Sequence, residues 1–353
     1  MSVWNVIKEQ WVTLPLPISP ELCAGKTYIV TGSNIGLGLE TAKHLVRASA
    51  GRVILAVRSA ASGDRARQEI EAETNRRGIA DVWSLDLASY DSVRAFARRA
   101  SDELDRLDAL VENAAVYLDQ WTTVTSGDEG EARREEETSV VVNDISTTLL
   151  GLLLLPKLAD TAKRFPDSMP RLVFVVSALG FSVREHLDAI KTDVFNGLND
   201  QKKANMRDRY ALSKLMQVPI IHRLARLYPQ EKTGVTINMV NPGLCRTGLT
   251  RYSTWYYRLY IDVVRVLLAA RTAEEGSRTI LYGVAAGKET HGKYLSGCKI
   301  RETNLLTEDV GLRREWVPDW INGEDGKRTE DQIWKELATR LEEIQSGCIP
   351  KFH

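Results

Sequence analysis

The sequence is short of several things. Its 47 lysines and arginines are matched by 47 aspartates and glutamates. There is no basic excess with which to grip a phosphate backbone, and nucleic acid is not expected as a partner. Only four cysteines are present (Cys23, Cys245, Cys298, Cys348), and no two form a CxxC pair. That spacing offers neither a disulfide framework nor a zinc ribbon, and it suits a reducing compartment, so a cytoplasmic location is expected. The five histidines include no HExxH pair, so no metal site is expected. No GxSxG elbow exists, which removes the α/β-hydrolase reading. No repeat of 20–50 residues is found. The first residues lack the long apolar core of a secretory signal.

What remains is an ordinary globular composition. Of 353 residues, 43% are apolar and 27% charged, enough chain to bury a sizeable core. Apolar runs alternate with helical patterns. Strands are predicted at 27–31, 52–57, 81–85, 107–111, 171–176, 235–239 and 293–295. Helices are predicted at 36–48, 62–77, 89–104, 131–163 and 209–227. Such alternation implies parallel strands joined by crossover helices. The expected fold is a single doubly wound α/β domain of Rossmann type, with a mostly parallel seven-stranded sheet. Residues 1–24 form an arm, 25–300 the domain and 301–353 a helical extension packed on it. Two polar stretches, 119–137 and 181–208, read as inserted loops. The second is expected to shape the substrate pocket. Residues 252–270 are apolar but interrupted by Arg258, Asp262 and Arg265 at steps of four and three. A spanning helix tolerates such charges poorly. An amphipathic lid at about 248–272, or a helix lying on a membrane surface, are the two readings of this stretch.

Chemistry gathers at a few motifs. The first strand runs into Thr31-Gly32-Ser33-Asn34-Ile35-Gly36-Leu37-Gly38 and then a helix. Gly32 permits a tight turn, Gly36 lets backbone approach a pyrophosphate, and Gly38 lets the helix pack against the sheet. A glycine-rich structural turn is the plainer alternative. Twenty residues on stands Arg58, where an acid would hold the ribose hydroxyls of NAD; a guanidinium suits the 2′-phosphate of NADP(H) instead. Gly25-Lys26-Thr27 mimics the end of a triphosphate loop, but it enters a strand and its upstream glycine is Pro20. Tyr210 and Lys214 lie four apart on a helix and face one side. With 11 tyrosines in the chain such a pair says little alone. It gains weight from Ser177 at the end of a strand and Asn143 in an apolar helix. A neighbouring cation is expected to lower the phenol pKa, so that Tyr210 exchanges a proton with a substrate oxygen that Ser177 also binds. Pro219 is expected to kink or loosen the helix.

Taken together, these motifs are similar to those of the short-chain dehydrogenase/reductase family, over roughly residues 25–300. The resemblance rests on the glycine motif, Asp86-Leu87, Glu112-Asn113-Ala114-Ala115 as a variant of NNAG, Asn143, Ser177, Tyr210-xxx-Lys214 and Pro242-Gly243-xxx-Thr247. Within the family the chain is most similar to the retinol-dehydrogenase-like branch, and its tail to fungal secondary-metabolism members. The resemblance implies a catalytic tetrad of Asn143, Ser177, Tyr210 and Lys214, with Asn143 holding a water that relays protons to Lys214. It implies cofactor contacts from Gly32, Ser33, Asn34, Ile35, Gly36, Gly38, Asp86, Leu87, Asn113, Ala114, Pro242, Gly243 and Thr247. It also implies a homodimer or homotetramer paired through two long helices. Reduction of a large apolar ketone or aldehyde with NADPH is the expected reaction, with an aromatic lid of Trp255, Tyr256, Tyr257 and Tyr260. Oxidation of an alcohol, or a cofactor-binding protein without turnover, are the alternatives.

Overall fold

β-Branched and aliphatic residues fill the strand positions, and a computed structural model assembles them into one sheet. It describes residues 10–126, 134–190, 192–301 and 317–352. The strands are β1 (Thr27–Thr31), β2 (Arg52–Val57), β3 (Ala80–Ser84), β4 (Ala109–Glu112), β5 (Thr123–Ser126), β6 (Arg134–Glu137), β7 (Arg171–Val175), β8 (Thr236–Asn241), β9 (Tyr294–Ser296) and β10 (Lys299–Arg301). The main sheet runs β3-β2-β1-β4-β7-β8-β9-β10. All its pairs are parallel except β9–β10. That antiparallel edge is one strand more than expected, supplied by the turn at Gly297-Cys298. The strand order reverses between β1 and β4, which opens a crevice at the carboxyl ends of the strands.

Helices α1 (Gly36–Arg47), α2 (Ala60–Thr74), α3 (Tyr90–Glu103), α4 (Thr147–Arg164), α5 (Arg209–Leu227), α6 (Trp255–Leu267), α7 (Ala273–Ala285) and α8 (Glu324–Ile344) surround the sheet. Ser59 and Ser89 cap α2 and α3 by accepting a backbone N–H, and Thr272 with Glu275 forms a capping box on α7. Residues of α1, α2 and α7 share one apolar cluster with the sheet. Those of α3, α4, α5 and α8 share another on the opposite face.

Several expectations change. The helix predicted from 131 begins only at Thr138, because Arg134–Glu137 pair with Thr123–Ser126 as an antiparallel ribbon. The Glu137 carboxylate then accepts from the Ser139 and Val140 amides and starts the helix. A π-helical turn, Val141–Ser146, follows and carries Asn143. Within the polar stretch 119–137, residues 127–133 lie outside the described residues. The segment Thr138–Arg164 is long and apolar enough to cross a membrane, but nearly all of it is buried in the core. The stretch 181–208 is not an open loop. It holds two short helices, Arg184–Asp188 and Val194–Leu198, whose Leu187, Val194, Phe195 and Leu198 enter the core. The Val194 amide donates to Glu336 on α8 at 2.5 Å. The stretch therefore packs against the C-terminal helix rather than shaping the pocket. Pro219 leaves α5 uninterrupted over 19 residues.

Helix α8 also bears on the expected pairing of subunits. It lies along α5, with Ile333, Leu337 and Leu341 buried, and with ion pairs Arg226–Glu330 (2.9 Å) and Arg223–Asp331 (3.0 Å). One of the long helices expected to meet a second copy is thus covered by the chain itself.

Candidate active site

The glycine loop between β1 and α1 is fixed by close approach. Gly32 has a φ of +65°, and a Cβ there would sit 3.0 Å from the Ala114 Cα. A Cβ on Gly38 would lie 2.6 Å from Asn113 Nδ2 and 2.7 Å from the Gly32 oxygen. The loop is tied to β4 from both sides. Asn113 Nδ2 donates to the Thr31 carbonyl at 2.8 Å, while Thr31 Oγ1 accepts the Asn113 and Ala114 amides at 2.9 Å. Glu112, where the family motif has asparagine, is fully buried. Desolvation pushes its carboxyl pKa well above the usual range, and it accepts a hydrogen bond from Thr31 Oγ1 at 3.4 Å.

This loop has the features a pyrophosphate needs. Helix α1 starts at Gly36 with no side chain capping its first N–H groups, and Gly36 and Leu37 line the crevice. Ser33 Oγ is buried without a partner among the described residues. Gly32, Asn34, Ile35, Asn113 and Ala114 line the same wall, and Pro242, Gly243 and Thr247 face them from the loop after β8. Asp86 and Leu87 do not reach this wall: Asp86 caps its own turn by accepting the Ala88 amide at 3.0 Å, and the Leu87 side chain lies in the core. Arg58 stands just past β2, exposed, and donates to the Tyr252 hydroxyl at 2.8 Å.

Ser177, just past the end of β7, and Tyr210 and Lys214, on the first turns of α5, line the crevice opposite the glycine loop. The Ser177 Oγ accepts the Leu179 amide at 3.3 Å. Lys214 Nζ lies 5.9 Å from the centroid of the Tyr210 ring and donates to the Val175 carbonyl (2.8 Å) and to Gln217 Oε1 (3.0 Å). Burial lowers Lys214 to about 8, with Asp144 pulling the other way. The same burial pushes the Tyr210 phenol up, against the fall expected from a cation beside it. Desolvation wins because the ammonium is itself desolvated and faces a carbonyl and an amide.

Asn143 is brought to this group but not to the crevice. It is fully buried, with Oδ1 accepting the Val116 amide (2.9 Å) and Nδ2 donating to Ser213 Oγ (3.0 Å). The two residues expected to share a water relay are also linked by a side chain. The Asn143 carbonyl accepts Gln217 Nε2 at 2.5 Å, and the other end of that amide takes Lys214, so a side chain bridges the two.

Sequence reasoning missed Gln217, and it missed Tyr117. The Tyr117 ring stacks on Tyr210 with centroids 4.7 Å apart, and its hydroxyl meets that of Tyr257 at 2.5 Å. Only tertiary packing joins these residues, although Tyr117 lies four positions past Asn113. The lid is present as α6, tied down where the Asp119 carboxylate accepts the Thr254 amide and hydroxyl. Its orientation differs from expectation. Ile261 and the buried Arg265, paired to Asp262 at 3.0 Å, face the crevice. Of the four lid aromatics only Tyr257 turns inward. Trp255, Tyr256 and Tyr260 are exposed by 72%, 59% and 60%.

The family described as short chain dehydrogenase matches residues 26–188. The short chain dehydrogenase/reductase dmxR8 of Cryptosporiopsis sp. is 34% identical over 344 residues, covering 96% of this chain and 97% of that one. The short chain dehydrogenase atnD of Emericella nidulans is 42% identical over 283 residues, covering 79% and 86%. Among solved structures, a short chain dehydrogenase from Shigella flexneri complexed with NADP superposes with a TM-score of 0.56 at 22% identity. It covers 80% of this chain and 100% of that one, a likeness of fold.

Proposed function

The chain belongs to the short-chain dehydrogenase/reductase family, and on that premise we propose that it reduces a ketone or aldehyde on a fairly large, apolar substrate with NADPH. The observation that carries this reading is the one crevice whose walls are the glycine loop on one side and Ser177, Tyr210 and Lys214 on the other. The uncapped start of α1, the unpartnered Ser33 hydroxyl and the glycine approach fit a dinucleotide pyrophosphate. Gly32 to Gly36, Asn113 and Ala114 would hold that half, and Pro242, Gly243 and Thr247 the nicotinamide half. Arg58, and the NADP and NADPH in two solved relatives of the fold, support NADP(H) over NAD(H). When bound, the dinucleotide supplies hydride.

The chain's own residues supply the rest. A buried phenol whose pKa is raised keeps its proton, and this suits Tyr210 as the acid that protonates the carbonyl oxygen. Ser177 Oγ hydrogen-bonds the same oxygen. Gln217 and the Val175 carbonyl hold Lys214 in place beneath the ring. Leu179, Leu244, Leu249 and Ile261 line the remaining wall and favour an apolar substrate. We propose a polyketide-, retinoid- or steroid-like compound of secondary metabolism as the substrate, in keeping with that apolar wall. The unpaired cysteines among the described residues support action in the cytoplasm. Helix α8 on α5 supports a chain that works without a second copy on that helix.

The test is stopped-flow loss of NADPH absorbance against a panel of apolar ketones. Tyr210→Phe is expected to lose about 10²–10⁴ in rate while still binding NADPH; a variant that keeps its full rate overturns the assignment.

A further inference from the structure

Two guanidinium groups converge on one phenol at the rim of the crevice. Arg58 Nη2 donates to the Tyr252 oxygen at 2.8 Å, and its Cζ lies 5.7 Å from the centre of that ring. Arg251 Cζ lies 4.6 Å from the same centre. Among the described residues neither arginine is ion-paired to a carboxylate; Arg251 spends one donor on the Gly248 carbonyl at 3.0 Å. Like charges gathered without a counter-charge are unfavourable, and the arrangement is relieved by an anion. The cations also hold the Tyr252 phenol below its ordinary pKa, Arg251 more than Arg58. Tyr252 is 48% exposed, so the site is open to a ligand.

The place of this cluster names the ligand. Arg58 follows β2, beside the glycine loop, where the adenosine ribose of a dinucleotide lies in a sheet of this order. A phosphomonoester brings nearly two negative charges and three acceptor oxygens, which can be shared between two forked donors and a phenol hydroxyl.

We propose that Arg251 and Tyr252 complete with Arg58 a phosphomonoester clamp that closes over the 2′-phosphate of NADP(H). The clamp rests on the NADP(H) reading above and deepens it, by assigning half of the phosphate site to the lid. Tyr252 stands three residues before α6 begins at Trp255. Gripping the phosphate therefore also fixes the entry of α6, so the phosphate that distinguishes the two dinucleotides also sets the position of the lid.

The experiment uses the full chain and needs no turnover. Calorimetry compares 2′,5′-ADP, 5′-AMP and inorganic phosphate on the wild type, Arg58→Ala, Arg251→Ala and Tyr252→Phe. In parallel, trypsin cleavage after the exposed Arg258 is followed with saturating NADP+ or NAD+. The wild type is expected to bind 2′,5′-ADP at least about tenfold tighter than 5′-AMP, as a charge-assisted bond to phosphate warrants. Arg251→Ala is expected to remove most of that preference and leave 5′-AMP within about twofold. NADP+ is expected to protect the lid more than NAD+ does, and Arg251→Ala to abolish the difference. If Arg58→Ala loses the preference while Arg251→Ala and Tyr252→Phe keep it, the clamp is wrong and the NADP(H) reading stands. A wild type with no preference sinks the NADP(H) reading itself. Inorganic phosphate binding as tightly as 2′,5′-ADP marks a free-anion site and overturns the clamp. All three side chains are at the surface, so thermal melts of the variants should match the wild type.

Discussion

Two parts of the crevice, the glycine loop and the lid, are built by different means. The glycine loop is locked in place: Gly32 and Gly38 leave no room for a methyl group, and Thr31 and Asn113 tie it to β4 by hydrogen bonds between side chain and backbone. The lid is held by a few side-chain tips, Tyr257 on Tyr117, Thr254 on Asp119 and Tyr252 on Arg58, while Trp255, Leu259, Val266 and Leu267 point into solvent. The first region is a rigid cradle for a part of the ligand that is always the same. The second leaves most of its outer face in solvent and can shift at less cost, as suits a cover over a substrate site.

Mutation can break this contrast, and the largest effect is expected in the cradle. Gly38→Ala would drive a methyl into Asn113 and the Gly32 carbonyl, costing about 1–3 kcal/mol of stability. Urea unfolding measures this, and fluorescence titration should show weakened NADPH binding in the same variant; an unchanged midpoint would mean that the loop yields as easily as the lid.

A smaller effect concerns Lys214, on α5 across the crevice from the glycine loop. Its pKa falls from 10.5 to about 8 on burial. Between those values the unfolded chain binds more protons than the folded one, so this group makes stability rise with pH, and below about 8 the rise is absent. Thermal melts across that window should show a shallower rise for Lys214→Met than for the wild type. Equal slopes would show that the ammonium is solvated.

The smallest effect is expected on the lid. Leu259→Ser alters a side chain that is 59% exposed, and the stability change should stay within about 0.5 kcal/mol. A loss of a kilocalorie or more in unfolding experiments would reveal a partner surface over α6 and undo the contrast.

The cradle was also the more legible of the two in the sequence. A strand, a glycine spacing and a helix are local patterns, and they located Gly32, Gly36 and Gly38 as they stand. Tyr210 and Lys214 were likewise one turn apart on a helix. What escaped depends on which distant segments meet. Arg134–Glu137 reads as a charged helix start, yet it pairs as a strand because Thr123–Ser126 is there to meet it. The spacing of Arg258, Asp262 and Arg265 announced an amphipathic helix, but periodicity does not say which side turns inward. Gln217 and Tyr117 carry no motif; each matters through a neighbour reached only across the fold.

Helix α8 has one more consequence. Its ion pairs to α5 join residues 104 and 108 positions apart. At ordinary rates of synthesis α5 leaves the ribosome roughly 5–20 s before the segment that covers it. The helix bearing Tyr210 must wait through that interval with its flank bare. It is during translation, before release, that a chaperone or a stray neighbouring chain has its best opportunity to take hold.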